Sequence, residues 1–502
     1  MLLKVRIIIF FTSTLLFSVT IAQVGFVDPN FGSNGIANPQ ITGDEAGVNH
    51  YAYGDGKILQ LCNFYKNGMT AGILLIKYNS DGSLDNSFGV NGVIRDSIAD
   101  FFIMWGQELS VLDDGTFLVS GGMIGNESKY LLMKYNDDGS RHETFGQNGV
   151  ANYSFPFSYA FGYGMAVQPD GKIIVTGNDY GNFTVLRFNA DGSLDNSFGN
   201  QGGIAFDFPA TGSDFSYTAE LLSDDRIIVS GHVSASDDIP ALACITPSGE
   251  LDTSFGNEGM VLLSQYPAQA HGLCIQPDDK ILLSGDNFCF RLNSEGMLDD
   301  SFGNSGVVDY GIPPGYDYIN LLTICTQEDG KIVVAGEAGH NSGYTSDLLL
   351  VRLTSNGQID SDFGTSGIGE FIQLSPTNNT ANHVSIQNDN KLLVSGGLLF
   401  SDNTQQIILA RYQNDVVSSV GGLYPSGTLT VFPNPARDVL CIENIDGSIG
   451  RIEIYNGGGT RVMSLDEPGS HTKIYVGRLP NGTYVIRPMQ HFGLKPAVFI
   501  MQ

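Results

Sequence analysis

The sequence predicts an all-β fold: a seven-bladed β-propeller closed by its N-terminal strand, followed by a small C-terminal β-sandwich. Three observations carry this. A Leu-Asp-x-Ser-Phe-Gly phrase recurs from Phe31 to Phe363 with a mean period of about 55 residues. Two other phrases keep the same period. No stretch sustains an apolar pattern of helical period. Units of roughly this length with four short strands each are the signature of propeller blades.

The N-terminus reads as a leader. Lys4 and Arg6 precede the apolar run from Ile7 to Val19, and Thr20-Ile21-Ala22 ends in small residues. This predicts a secretory signal peptide over 1–22, cut after Ala22. No later segment reaches the ~18 consecutive apolar residues of a membrane-spanning helix.

The propeller is expected over 23–413. Leu84-Asp85-Asn86-Ser87-Phe88-Gly89 returns as Leu194-Asp195-Asn196-Ser197-Phe198-Gly199, again at Phe255, Phe302 and Phe363, and more weakly at Phe31 and Phe145. A second phrase, fullest as Gln168-Pro169-Asp170-Gly171-Lys172, recurs around Lys57, Thr116, Arg226, Lys280, Lys331 and Lys391. Its proline presets φ and its glycine accepts a positive φ, so it is a hairpin turn. A third phrase closes each unit, as in Leu186-Arg187-Phe188-Asn189 and Val351-Arg352-Leu353-Thr354. In the third unit the strands fall at 164–168, 172–177, 183–189 and 203–208.

The two ends complement each other. The last unit stops near Tyr412 with three strands and no Phe-Gly phrase, while Phe31-Gly32 stands alone at the start. An N-terminal strand completing the last blade would close the ring and leave no open sheet edge. The phrases resemble the delta-60 propeller repeat family over residues 24–415. The match is weakest in the second and fourth units, where Leu112-Asp113-Asp114-Gly115 and Leu222-Ser223-Asp224-Asp225 replace the turn phrase.

Residues 414–427 form a Ser/Gly linker. Beyond it, 428–502 alternate apolar residues between Gly/Asn turns, which predicts a small β-sandwich. Pro433-Asn434-Pro435, Ile454-Tyr455-Asn456 and Gly482-Thr483-Tyr484 come in the order that resembles the type A C-terminal sorting domain of the type IX secretion system of Bacteroidota. The resemblance implies dealings with that secretion machinery and passage across the outer membrane, then attachment to the surface or release. The end, Lys495 to Ile500, is less basic than is usual there.

The formal net charge is −28, and removing Lys4 and Arg6 makes it more negative. Such a chain repels phosphate backbones, which excludes nucleic acid as a partner. The six cysteines form no CxxC pair or metal pattern and read as buried free thiols.

The recurrent acids Asp85, Asp195, Asp252, Asp299 and Asp360 read as turn-formers, with each phenylalanine filling a seam between blades. No cofactor is called for. Calcium is the one candidate ion, because Asp81, Asp85, Asp191 and Asp195 place carboxylates around tight Gly turns. Function is expected on the face where loops vary, and lining up the inner strands places Gln107, Tyr163, Tyr217, His271 and Asn382 at the channel mouth. His383 and His50 fall near that level. This polar and aromatic ring suits a glycan or protein ligand. Three histidines there, His50, His271 and His383, offer a metal reading, but their levels differ. Trp105 is placed in a variable loop. No phosphate loop, GxSxG or HExxH is present. The reading is therefore a secreted or cell-surface binding propeller. A structural adhesin or spacer, and a propeller-fold glycan lyase or hydrolase, are the alternatives.

Overall fold

The computed structural model describes residues 24–414 apart from 40, 42–43, 67, 100, 155–159, 211, 341–344, 370–377 and 401–403. It also describes 430–501 apart from 433–435, 438, 444–450, 457–460, 467–470 and 490–496. The expected signal peptide, and the linker beyond Asn414, lie outside the described residues. The chain divides into two compact units, one holding the described residues up to Asn414 and the other those from Thr430. Every helix or strand among the described residues is a strand.

The larger unit repeats an antiparallel meander. Ala160–Val167, Ile173–Asp179, Asn182–Phe188 and Gly203–Phe206 form one four-stranded sheet in that order. Ser213–Leu221, Ile227–Ser234, Asp238–Ile245 and Met260–Leu262 form the next, and Gly272–Ile275, Ile281–Gly285, Phe288–Leu292 and Val307–Asp309 another. Asp44–Ala52, Ile58–Lys66, Met69–Tyr78 and Val93–Asp96 repeat the pattern. A single parallel bridge, Ala71 to Met104, ties them to Ile103–Val111, Phe117–Ile124, Ser128–Tyr135 and Val150–Tyr153. Tyr318–Thr326, Ile332–His340 and Thr345–Leu353 are joined in the same way, from Ser346 to Asn378, to Asn378–Ile386, Leu392–Leu399 and Gln405–Tyr412. The outer edge of Gln405–Tyr412 takes up the N-terminal strand Ile36–Ala37, which pairs with Ala410 and Leu409, and Val27 bridges Tyr412. The first strand of each meander packs against the first strand of the next, and Asn378–Ile386 packs against Asp44–Ala52.

The repeated phrases build the seams. Phe198 is fully buried and packs with Ile227, Val229 and Ala243 of the following meander. Phe255, Phe302, Phe363 and Phe31 are buried at the corresponding seams. The third phrase supplies a cation to each of several such rings. The Arg187 guanidinium lies 4.5 Å over Phe198, donates from Nε to Asp195 at 2.8 Å, and donates from Nη1 to the Pro247 carbonyl in the next turn at 2.6 Å. Arg291 with Asp299 and Phe302, and Arg352 with Asp360 and Phe363, repeat this. The Asp-Gly turn fits against the same ring. Gly192 has φ of +83°, and a Cβ there would lie 3.0 Å from both Gly146 N and the Phe145 ring, so a glycine is needed for both conformation and space.

The C-terminal unit has two antiparallel sheets. One is Thr430–Phe432, Val439–Glu443 and His471–Tyr475; the other is Arg461–Asp466, Arg451–Asn456, Gly482–Met489 and Ala497–Met501. Leu440, Ile442 and Ile474 of the first share one core with Ile452, Ile454, Tyr484 and Ile486 of the second.

Candidate functional site

The first strands of six meanders share an irregularity that Gly272–Ile275 lacks. Pairing slips between Gly47 and Asn49, Gly106 and Glu108, Gly162 and Met165, Ser216 and Thr218, Leu321 and Thr323, and Ala381 and His383. The extra residue of each β-bulge leaves the ladder and re-aims its side chain. Gln107, Tyr217 and Asn382 occupy such positions, and Tyr163 falls within the Gly162–Met165 slip. Four of the residues expected at the mouth are therefore bulge residues. His271 stands just before the strand Gly272–Ile275.

These strands line a cavity of about 690 Å³, whose walls include Gln107, Tyr217, His271, Asn382 and His383. Tyr163 is not among its lining residues but packs edge-to-face on Tyr217, with ring centroids 5.6 Å apart. Tyr217 stacks on His271 at 4.7 Å and lies 5.4 Å from His232, which stacks on Phe215 at 5.2 Å. Asn382 donates from Nδ2 to the Gly47 carbonyl at 2.7 Å, linking the last meander to the first. A hollow of about 720 Å³ also lies at the outer edge, beside Ile36–Ala37 and the Asp81–Leu84 turn. Its described lining holds one acid, Asp81, whose carboxylate is already bonded to Ser83.

Two carboxylates that sequence reasoning missed line the same cavity, Glu108 and Glu220. Asn49 donates from Nδ2 to Glu108 Oε1 at 2.7 Å. Burial, and then the nearby Glu220 carboxylate, push Glu108 up to about 8 against that bond. Glu220 is exposed, so the upward push of desolvation on its carboxyl is screened by solvent. Burial pushes His271 and His383 down to about 4, so both are neutral at pH 7.

His50 lies deeper than the mouth. It is buried in the seam between Asp44–Ala52 and the last meander, with Nε2 2.7 Å from Ser385 Oγ and Nδ1 2.9 Å from Ser395 Oγ. Its Nδ1 is also 3.3 Å from Nδ1 of His383, while His271 keeps company with Tyr217 instead. Among the described residues, no group of three or more His, Cys, Asp or Glu is placed to hold a metal ion. Trp105 is not in a loop. It lies within the strand Ile103–Val111, against Gly122 and 5.8 Å from Phe161.

The carboxylates considered for calcium are engaged in local bonds. Asp81 and Asp191 each accept from the backbone N and hydroxyl of a serine two residues on, Ser83 and Ser193. Asp85 accepts from Ser87 and pairs with Lys57 at 2.8 Å, and Lys57 and Ser87 hold it down to about 2. Against the push of burial, Ser197, Lys172 and Arg187 hold Asp195 below the usual range. The six cysteines are free thiols, and Cys274 and Cys325 line the cavity.

The raised Glu108 sets a pH dependence. A carboxylate with a folded-state pKa above its unfolded value of about 4.3 favours folding when protonated, so this contribution is full at low pH and is lost as pH rises towards about 8. The lowered Asp85 acts oppositely, with a contribution present above about 4 and lost as pH falls through about 2. Replacing Glu108 by Gln is expected to raise Tm at pH 8 and leave it unchanged near pH 4.5. Thermal melts across that range check this, and equal Tm values for parent and variant at pH 8 would contradict it.

Comparison with known proteins places these features in context. Residues 54–88, 168–198, 222–255 and 327–363 match the family described as a β-propeller domain of unknown function, DUF5122. Residues 430–492 match the secretion system C-terminal sorting domain. The chain thus carries β-propeller repeats and a type IX sorting domain, which indicates export to the cell surface or the medium. No curated protein matches the sequence. Solved structures with similar folds include PorZ, a surface component of the type IX secretion system of Porphyromonas gingivalis. It is 15% identical, with a TM-score of 0.42, over 90% of this chain and 59% of PorZ. The chain therefore spans less than two thirds of PorZ. Others are a streptogramin B lyase (14% identity, 74% and 95% coverage, TM-score 0.46) and a Bacteroides caccae protein of unknown function (13%, 65% and 97%, TM-score 0.37). None of these likenesses assigns an activity to this chain.

Proposed function

We propose that the mature protein, from Gln23, is a seven-bladed β-propeller closed by its own N-terminal strand, and that it binds a glycan at the channel mouth on the variable face of the disc. Closure is supported by the pairing of Ile36–Ala37 with Gln405–Tyr412 and by Asp28, which pairs with Arg411 at 2.8 Å. The observation that carries the ligand reading is a set of packed rings, Tyr163 edge-on to Tyr217 and Tyr217 stacked on His271, with Tyr217, His271 and the amides of Gln107 and Asn382 around one cavity. A pyranose has an apolar C–H face for such rings and a rim of hydroxyls for such amides. The sorting domain supplies the address. Glu108 and Glu220 in the same cavity favour one second reading, a glycan-cleaving enzyme.

The test is a broad glycan array probed with the purified protein, with and without calcium, beside a Tyr217→Ala/His271→Ala variant. The expected result is a glycan bound by the parent and weakened about 10- to 100-fold in the variant, as for the loss of a buried aromatic anchor. Binding that is equal in parent and variant would move the site elsewhere. No binding in either calcium condition would overturn the glycan reading. Shortening of a bound glycan during incubation would establish the second reading.

A further inference from the structure

Two carboxyl groups, Glu108 and Glu220, line the cavity. Among the described residues neither Lys nor Arg lines it. Asn49, the side chain that bonds Glu108, is neutral, and so are His271 and His383 at neutral pH. The basic residues of the repeats are committed elsewhere, with Lys57, Lys172, Lys280, Lys331 and Lys391 each paired to an aspartate at the turns. A second observation is independent of the carboxylates. His271 Nε2 is buried and has no hydrogen-bond partner among the described residues, although His271 lines the cavity. A buried polar nitrogen without a partner costs stability unless a ligand or water satisfies it.

The bulges order these groups along the channel. Tyr217 is at its bulge, Glu108 is one residue past the bulge at Gln107, and Glu220 is three residues past Tyr217. Counted from their bulges, the two carboxylates differ by two residues, about 7 Å of strand at ~3.3 Å per residue. A ligand entering end-first would meet the rings, then one carboxylate, then the other.

We propose that the channel recognises the amine-bearing end of a glycan, a short run of hexosamines whose nitrogens are free ammonium groups. The sugar face stacks on Tyr217, a hydroxyl satisfies His271 Nε2, and the ammonium groups bond Glu108 and Glu220. An ammonium beside each carboxyl group favours its ionised form, and charge-assisted bonds of this kind are roughly twice as strong as neutral ones. This rests on the glycan reading and names its substrate class.

Titration calorimetry of the whole mature protein at pH 7 and 0.15 M salt tests it with three matched oligomers. These are β-1,4-glucosamine, its N-acetylated form and the glucose oligomer. The amine form is expected to bind about tenfold tighter or more. In Glu108→Gln and in Glu220→Gln, each checked for an intact melting transition, the ratio of amine to neutral affinity should fall towards one. Equal affinity for all three oligomers would overturn the inference and leave the glycan reading standing. An amine preference that survives both substitutions would also overturn it, since general attraction to an acidic surface would then be the cause. Failure of all three oligomers while another array glycan binds would do the same, and failure of every glycan would remove both readings.

Discussion

Replacing Arg411 with alanine is expected to destabilise the propeller by about 3–5 kcal/mol, the cost of leaving a buried charge without its partner. The arginine is nearly buried and holds three groups at once. It pairs with Asp28 at 2.8 Å, donates from Nη1 to the Ser80 carbonyl at 2.7 Å, and lies 4.4 Å over the Phe31 ring. Asp28 is 1% exposed, and without Arg411 its remaining cation is Lys391 at 3.5 Å. Asp28 and Arg411 are 383 positions apart, whereas Asp195 is eight positions from Arg187. Arg187→Ala should therefore cost a similar amount through its own seam, but Arg411→Ala should also release the N-terminal segment. Urea unfolding measures the loss, and hydrogen exchange should show residues 24–39 deprotected in Arg411→Ala and protected in Arg187→Ala. A loss below about 1 kcal/mol would mean that the pair behaves as an exposed salt bridge, and would count against closure by this segment.

Deleting residues 418–502 is expected to abolish appearance of the protein at the surface or in the medium, with the remainder held inside the outer membrane. The sorting-domain match spans 430–492, and the unit that contains it has its own core around Leu440, Ile454 and Ile486. The larger unit keeps its own buried clusters, so its melting temperature should not change. Immunoblots of cell fractions and medium, with melts of the purified larger unit, check both halves. Unchanged export would show that the address lies elsewhere in the chain.

The propeller repeats were legible because each phrase has a job that few residues can do. Only glycine fits at Gly192, and the ring of Phe198 fills a seam of fixed size. The partnership of Arg187 with Asp195 went unread although the same spacing of eight recurs between Arg291 and Asp299 and between Arg352 and Asp360. That repeated interval was the available signal. Gln107 and Tyr217, singled out from the sequence, line the cavity, whereas Glu108 and Glu220, which also line it, were missed. A bulge inserts one residue and shifts the inward-facing phase of the strand after it. Residues on both sides of the slip can then face the cavity, and strict alternation from Gln107 turns Glu108 outward. The Gly-x pairs Gly47-Val48 and Gly106-Gln107 mark two of these positions. Trp105 was read as a loop residue because its strand begins at Ile103, inside a stretch that varies between units. The two histidines nearest the last seam, His50 and His383, meet across it, a long-range contact with no local sequence signal.

The most direct test of the proposed role is a hydrogen-exchange footprint of the mature protein with the tightest ligand from the glycan array. The account predicts protection confined to the channel segments around Gln107, Tyr217, His271 and Asn382, and loss of that footprint in Tyr217→Ala/His271→Ala. Protection confined to the outer strands or the Phe-Gly turns, with the channel segments unchanged, would contradict it.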